Sequence, residues 1–284
     1  MLLAKKIGFI GGGNMAAALV GGLIQSQTAP AANIICSDVR EEARHHLESR
    51  FGVAVTHDNL EVIRRSDIVV FATKPQVLPE VLRETATALD DSKLVISIAA
   101  GVPLPAIAVA LAAGLGDRAR LIRAMPNICA LVGESATAIA AGAGARDGDI
   151  ESAKMIFDAV GTSVVMGEHL LDAFTGLCGS GPAYAFLIIE ALADAGVNMG
   201  LARQDALLLA GQTLYGSAKM FLSGHEHPAE LKDRVCSPGG TSIAGVYALE
   251  KGALRATLMD AVAAATARSR QLGQTMAEKF ARKD

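Results

Sequence analysis

A doubly wound α/β sheet followed by an all-α helical domain is the fold this sequence predicts, and three observations predict it. Short runs rich in Val and Ile alternate with helical stretches through the first half, the pattern of a sheet with helices on its faces. No good strand candidate follows about residue 168. The helices of the second half are rich in Ala and Leu and mostly close on Gly, a helix-ending residue.

Six runs read as strands in order: 6-KIGFI, 33-NIICS, 67-DIVVFA, 93-KLVISIA, 120-RLIRAM and 162-TSVVM. They are apolar on both sides, as strands buried in a parallel sheet are. The helix after the first places Met15, Ala18, Leu19, Gly22 and Leu23 on one face at helical spacing. Beyond 162-TSVVMG come 182-PAYAFLIIEALADAGVNMG, 203-RQDALLLAGQTLYGSAKMFLSG, 228-PAELKDRV, 241-TSIAGVYALEKG and 254-LRATLMDAVAAATARSRQLGQ. Two domains are expected, 1–165 and 166–284. The helices of the second are apolar on more than one face, which points to burial against another subunit.

Composition narrows the function. Of 284 residues, 51% are apolar and 19% charged, with a net charge of −3, so the chain buries a core and is not disordered. No basic block exceeds pairs such as Arg64-Arg65, and Trp is absent; nucleic acid is not the expected partner. The start, MLLAKKIGFIGGGNM, reads as a first strand and not a signal peptide. The stretch 185-AFLIIEALADAG is interrupted by Glu190 and Asp194, so no membrane span is expected. Cys36, Cys129, Cys178 and Cys236 are scattered, as in a reduced, cytoplasmic protein.

The segment 11-GGGNMA is a G-x-G-x-x-A fingerprint between a strand and an amphipathic helix. Gly11 permits the tight turn, Gly13 lets a pyrophosphate reach the backbone, and Ala16 allows close helix–strand packing. The helix N-terminus then offers free N–H groups to the anion. A Rossmann-type dinucleotide site is the expectation. Asp38, 22 residues beyond Ala16, stands where a carboxylate binds an NAD ribose, but Arg40 two residues on suits a 2′-phosphate; NADPH and NADH both stay open. Small residues in 72-ATKP and 97-SIAAGVP leave room for a cofactor at strand ends, and Pro75 and Pro103 are placed to start the following helices. Lys74 reads equally as a base or as a charged helix-start residue.

Three other segments test differently. Around Ser180, 178-CGSGPAY fails the G-x-S-x-G nucleophile pattern at Cys178 and Pro182 and reads as a helix start. His225-Glu226-His227 lacks a third ligand at metal spacing, and no metal is expected. The loop 237-SPGGTS reads either as a capped turn or as a helix N-terminus open to a carboxylate, with hydroxyls for a second polar atom.

Together these segments resemble the Δ1-pyrroline-5-carboxylate reductase family along essentially the whole chain. The resemblance rests on 8-GFIGGGNM, 72-ATKP, 97-SIAAGV, 123-RAMPN, 179-GSGPAY, 227-HP, 231-LKD and 236-CSPGGTSI. It implies a Rossmann domain, an all-α dimerisation domain, and homo-oligomers built from dimers, up to decamers. It assigns the cofactor to Ile10, Gly11, Gly12, Gly13, Asn14 and Met15, to Asn59, to Ala72, Thr73, Lys74 and Pro75, and to Ile98, Ala99 and Ala100. For substrate it implies Glu168 near the ring nitrogen and contacts from Ser237, Gly239, Gly240, Thr241 and Ser242. The chain departs from the family pattern at Ile128-Cys129, where Thr-Pro is usual, at Cys178 for Ser, and at Ser242 for Thr. Ser242 keeps the hydroxyl and loses the methyl that stiffens the rotamer.

The reaction so implied is hydride transfer from NADPH or NADH to the C=N carbon of a cyclic imine, giving L-proline, with the protein chiefly holding two rings together. Ser242 is expected at the imine nitrogen and Glu168 to favour its cationic form. Two rivals are weighed. A β-hydroxyacid dehydrogenase would need a base such as Lys219, around which no hydroxyacid motif lies. A non-catalytic nicotinamide-binding scaffold would have no use for the retained hydroxyls and Gly-Gly pair.

Overall fold

The computed structural model describes residues 2–112 and 119–281. Two compact units divide them: the first runs to Gly179 and resumes at Ala264, and the second is Ser180–Ala263.

Among the described residues, the first unit holds one sheet of eight strands in the order β3-β2-β1-β4-β5-β6-β7-β8. The strands are β1 (Ile7–Ile10), β2 (Ile34–Ser37), β3 (Ala54–Thr56), β4 (Ile68–Phe71), β5 (Leu94–Ser97), β6 (Arg120–Met125), β7 (Ser135–Ala141) and β8 (Gly161–Val165). All neighbours are parallel except β6 and β7. Only a short connection joins those two, too short for the crossover that parallel pairing needs. Strands β1, β2, β4 and β5 are buried along their full length, as a sheet covered on both faces requires.

Two strands lie outside the six expected runs. In β3 three half-buried residues sit at the sheet edge. In β7, 135-SATAIAA, Ala and Ser replace the bulky β-branched residues that mark strands.

Helices α1 (Asn14–Gln25), α2 (Glu41–Phe51), α3 (Asn59–Arg65), α4 (Leu78–Thr85), α5 (Leu104–Leu111) and α6 (Asp147–Asp158) connect the strands. The face α1 buries is Ala16, Ala17, Leu19, Val20 and Leu23; of the expected stripe only Leu19 and Leu23 lie on it, and Met15, Ala18 and Gly22 are half-buried beside it. Pro75 does not start a helix: Pro79 occupies the first turn of α4. Pro103 is the residue before α5.

The first unit also keeps the residues after β8, where the second domain was expected to begin. Short α7 (Leu171–Phe174) buries Leu171 and Phe174 in the core that also takes Met276 and Phe280. The latter two come from the last helix, α12 (Leu254–Ala281). Ser269 donates to Asp172 Oδ1 at 2.7 Å. The backbones of Gly101 and Gly273 approach closely, since a Cβ on Gly273 would lie 3.4 Å from the Gly101 oxygen. The end of α12 thus belongs to the sheet-bearing unit by packing, which helical periodicity alone does not reveal.

The second unit comprises α8 (Gly181–Asn198), α9 (Arg203–Ser223), α10 (Pro228–Val235), α11 (Thr241–Lys251) and the start of α12. Ser180 precedes α8 and Pro182 lies in its first turn, as the failed nucleophile pattern predicts. The buried core of this unit is Ala193, Ala206 and Ala210, with Ile189 and Val197 against it. Phe186, Leu187, Leu208, Leu222, Tyr247 and Met259 are exposed. So small a core cannot stabilise five helices alone, and so much exposed apolar surface marks an interface. A π-helical turn, Thr175–Gly179, joins α7 to α8. The resulting segment Glu168–Asn198 is long and apolar enough to cross a membrane by length and composition, although the stretch 185–196 alone is not.

His227 has a structural task. Its Nδ1 accepts from the Ala229 N–H at 3.2 Å while Glu230 accepts from the His227 N–H, a reciprocal cap on α10.

Candidate functional site

The sequence-predicted cofactor residues gather at one edge of the sheet. Ile10 ends β1, Gly11, Gly12 and Gly13 form the turn, and Asn14 and Met15 open α1. Asp38 and Arg40 follow β2, Asn59 opens α3, Ala72 to Pro75 follow β4, and Ile98 to Ala100 follow β5. All lie at the carboxyl ends of strands, around the β1–β4 junction where strand order reverses. That junction opens the crevice in which doubly wound sheets bind ligands.

Local chemistry builds this edge. Gly11 has φ +101°, and a Cβ there would lie 2.9 Å from the Ala72 carbonyl carbon; only glycine fits. Gly13 is extended, and a Cβ on it would meet nothing within 4 Å among the described residues, so its open side is a cradle. No side chain among the described residues caps α1, and the N–H groups of its first turn have no intrahelical acceptor. The Thr73 hydroxyl is buried and finds no hydrogen-bond partner among the described residues. An orphaned buried hydroxyl beside an open glycine cradle and an uncapped helix end fits a dinucleotide pyrophosphate. Lys74 is exposed.

At the ribose end the carboxylate is already engaged. Asp38 Oδ2 accepts from the Gly12 N–H at 2.9 Å, and Oδ1 accepts from the Arg40 N–H at 2.8 Å. The Arg40 guanidinium donates to both oxygens, at 3.2 and 3.3 Å. Burial pushes the Asp38 carboxyl up. Hydrogen bonds from the Arg40 side chain, and from the Arg40 and Gly12 N–H groups, outweigh burial and hold it below its ordinary value. Arg44 donates to the Asp38 and Val39 carbonyls. Ser37 donates to Asn59 Oδ1 at 2.7 Å, setting Asn59 beside the same edge. The Arg40 side chain remains 65% exposed.

Glu168 lies in the first unit. Its Oε1 accepts from the Leu104 N–H at 2.6 Å and from Arg123 Nη1 at 3.0 Å. No role is read for Arg123 in the sequence, although a charged residue inside the apolar run 120-RLIRAM was a visible signal.

The loop before α11 belongs to the second unit. The Gly240 N–H donates to the Ser237 carbonyl at 3.0 Å. With Pro238 and then Gly239 at φ +68° between them, this is a type II turn, which favours Pro then Gly. Gly240 precedes α11, which no side chain among the described residues caps. The first-turn N–H groups of α11, from Thr241, are therefore left for an external acceptor, with the Thr241 and Ser242 hydroxyls beside them. The turn and the open helix end, alternatives in the sequence, coexist.

Other candidates carry less. A groove of about 710 Å³ along the outer face of α1 shares only Asn14 with the crevice residues. The Lys219 ammonium lies 5.8 Å from the centre of the Tyr215 ring, a cation–π contact and not a base poised in a cleft. Burial pushes the Cys36 thiol up to about 12, which leaves it inert.

Comparison with known proteins places these observations. Residues 168–272 match a family model described as pyrroline-5-carboxylate reductase dimerisation, and residues 6–101 match one described as NADP oxidoreductase, coenzyme F420-dependent. The pyrroline-5-carboxylate reductase of Methanosarcina acetivorans is 48% identical, over 95% of this chain and 98% of that relative. A solved pyrroline-5-carboxylate reductase from Coxiella burnetii superposes with a TM-score of 0.89 at 35% identity, covering 94% of this chain and 98% of that one. The Plasmodium falciparum pyrroline carboxylate reductase, solved with NADP bound, gives a TM-score of 0.82 at 32% identity, covering 95% and 99%. At 48% identity over nearly the full length of both proteins, this chain belongs to the pyrroline-5-carboxylate reductase family.

Proposed function

We propose that the chain reduces the cyclic imine of Δ1-pyrroline-5-carboxylate to L-proline, with NADPH preferred over NADH. The observation that carries the substrate assignment is the loop Ser237–Ser242, a glycine turn leading into an uncapped helix with two hydroxyls at its start. The first-turn N–H groups of α11, from Thr241, hold the substrate carboxylate, with Gly239 and Gly240 leaving the backbone before them open to it, since an uncapped helix N-terminus is an anion site. Ser242 donates its hydroxyl toward the imine nitrogen and keeps it electrophilic. A Ser hydroxyl is a weak acid, so water is the ultimate proton source. When bound, the reduced nicotinamide supplies the hydride to the imine carbon. The chain's residues supply position and exclude competing reactions.

Ser242→Ala tests this in steady-state kinetics. The imine kcat is expected to fall about 10- to 100-fold, the scale of one hydrogen bond to a charged group, while NADPH affinity by fluorescence titration stays within about twofold. Ser242→Thr restores the rate. Weakened NADPH binding with an unchanged rate per bound cofactor would refute the role.

The NADPH preference rests on Asp38 and Arg40. Both Asp38 oxygens already accept protein hydrogen bonds, so the carboxylate is a poor ligand for a ribose 2′-hydroxyl, while it fixes a guanidinium suited to a 2′-phosphate. Arg40→Ser is expected to lower kcat/KM with NADPH about tenfold or more, the scale of a charged hydrogen bond, and to leave NADH kinetics nearly unchanged. An unaltered NADPH/NADH ratio would refute it.

A second copy of the chain, and not a bilayer, covers the apolar surface of Ser180–Ala263, with dimers assembling further toward a decamer. Glu190 and Asp194 inside the apolar segment favour a protein partner. Four unpaired cysteines support a cytoplasmic location.

A further inference from the structure

We infer that Glu168 is a positioning residue, which with Arg123 fixes the loop Ile98–Pro103 against which the nicotinamide is held. The inference rests on the cofactor reading above and departs from the resemblance-implied place of Glu168 beside the imine.

The observation begins at the N-terminus of α5. A helix leaves its first N–H groups without intrahelical acceptors. Here Pro105 has no N–H, and Ala106 and Ile107 both donate to the Pro103 carbonyl, at 3.0 and 3.2 Å. The remaining first-turn donor is Leu104. Pro103, the residue before the helix, has no side chain able to cap it. Glu168 supplies the missing acceptor from 64 residues away, at 2.6 Å. A carboxylate is the favoured partner for a helix N-terminus.

The same Oε1 accepts from Arg123, whose side chain is 7% exposed. Arg123 lies on β6 directly opposite Ser97, the last residue of β5. The loop Ile98–Pro103 therefore leaves the sheet beside Arg123 and enters α5 at a group held by Glu168. Between these ends, Gly101 at φ +71° meets the backbone of Gly273 on α12. Three contacts thus clamp one short loop at the carboxyl end of β5, next to the β4 end that carries 72-ATKP. A carboxylate already neutralised by a buried guanidinium and bonded to a backbone N–H is a weak source of field for a distant cation, and a strong fixture for the loop.

The test uses the full-length chain with Glu168→Gln, whose amide oxygen accepts both bonds without charge, and Glu168→Ala, which accepts neither. Hydrogen exchange of the Leu104 amide reads the clamp without reference to activity. It is expected to stay slow in Gln and to quicken at least about tenfold in Ala. Gln is expected to hold the imine kcat within about threefold with an unmoved pH profile. Ala is expected to lose about 10- to 100-fold in kcat, with a smaller change in KM for the imine. A Gln variant as slow as Ala, or with a displaced pH profile, would show that the charge itself acts and would overturn the inference. So would faster exchange in Ala with an unchanged kcat. If Ala does not fold, the Gln rate and pH profile alone decide. A wild-type chain that binds no NADPH would overturn the functional reading and the inference with it, whereas normal NADPH turnover with no slow Leu104 exchange would overturn the inference alone.

Discussion

Gly13→Val is expected to fold and to lose NADPH affinity at least about 100-fold, or about 2.7 kcal/mol, whereas Gly11→Ala loses cofactor binding and stability together. The two glycines stand two residues apart in one turn and do different work. Gly13 is extended, with φ −76° and ψ −176°, a conformation any residue adopts. A side chain there meets nothing within 4 Å among the described residues, so the cost to the fold is that of a poor helix cap, about 1 kcal/mol. The same side chain occupies the cradle where a pyrophosphate must reach backbone N–H groups. Gly11 has φ +101°, and its added Cβ would lie 2.9 Å from both the carbon and the oxygen of the Ala72 carbonyl. Backbone cannot move aside as a flexible side chain does. Strain of about 1–3 kcal/mol adds to overpacking of about 1–3 kcal/mol. At about 2–4 °C per kcal/mol, Gly11→Ala melts several degrees or more below Gly13→Val. Calorimetry and a fluorescence titration on the two variants separate the roles. Equal Tm values, or NADPH binding retained by Gly13→Val, would show that the turn is misread.

Much of this site was legible because its signals are local. The glycine fingerprint, the small residues of 72-ATKP and 97-SIAAGV, and the Pro-Gly-Gly turn each encode their geometry within a few residues. The strands that escaped lack the side chains that usually mark them: β7 is mostly Ala and Ser, and β3 is three half-buried residues at an edge. What periodicity cannot carry is long-range pairing. The bonds from Glu168 to Leu104 and Arg123 join residues 64 and 45 positions apart, and the return of α12 to the first unit depends on Ser269, Met276 and Phe280 finding partners there. The ribose edge is the intermediate case. Asp38 and Arg40 give opposite sequence signals because each is read as a ligand. In the structure they are partners: the carboxylate is engaged on both oxygens, while the guanidinium that it holds stays largely exposed.

Asp149→Ala is expected to cost about 3 kcal/mol of stability while leaving the cofactor and substrate residues untouched. Asp149 is 1% exposed and pairs with Arg120 through both oxygens. Its Oδ2 also accepts from the Arg146 N–H at the start of α6, at 3.0 Å. Arg120 in turn donates to the Ser92 carbonyl at 2.5 Å. One carboxylate thus ties the start of β6 to α6, and through Arg120 to the turn before β5. Its removal strands a guanidinium whose side chain is 19% exposed, which places the loss at the low end of the roughly 3–5 kcal/mol for breaking a buried pair. A Tm drop of roughly 6–12 °C follows. The pH dependence has a definite sign. Burial raises the Asp149 carboxyl, but the Arg120 side chain, the Arg146 N–H and both positive charges prevail and hold it below its ordinary value. A carboxylate depressed on folding contributes its stability above the unfolded pKa, near 3.9, and loses it as pH falls through the folded value. The stability gap between wild type and Asp149→Ala is therefore constant above about pH 5 and narrows below about pH 4. The double variant Arg120→Met, Asp149→Leu separates charge from architecture. It recovers the share of the loss that came from the stranded guanidinium but not the Arg146 cap or the Ser92 bond. A double variant no more stable than Asp149→Ala alone would show that the cap and the Ser92 tie, and not the ion pair, hold this edge of the sheet.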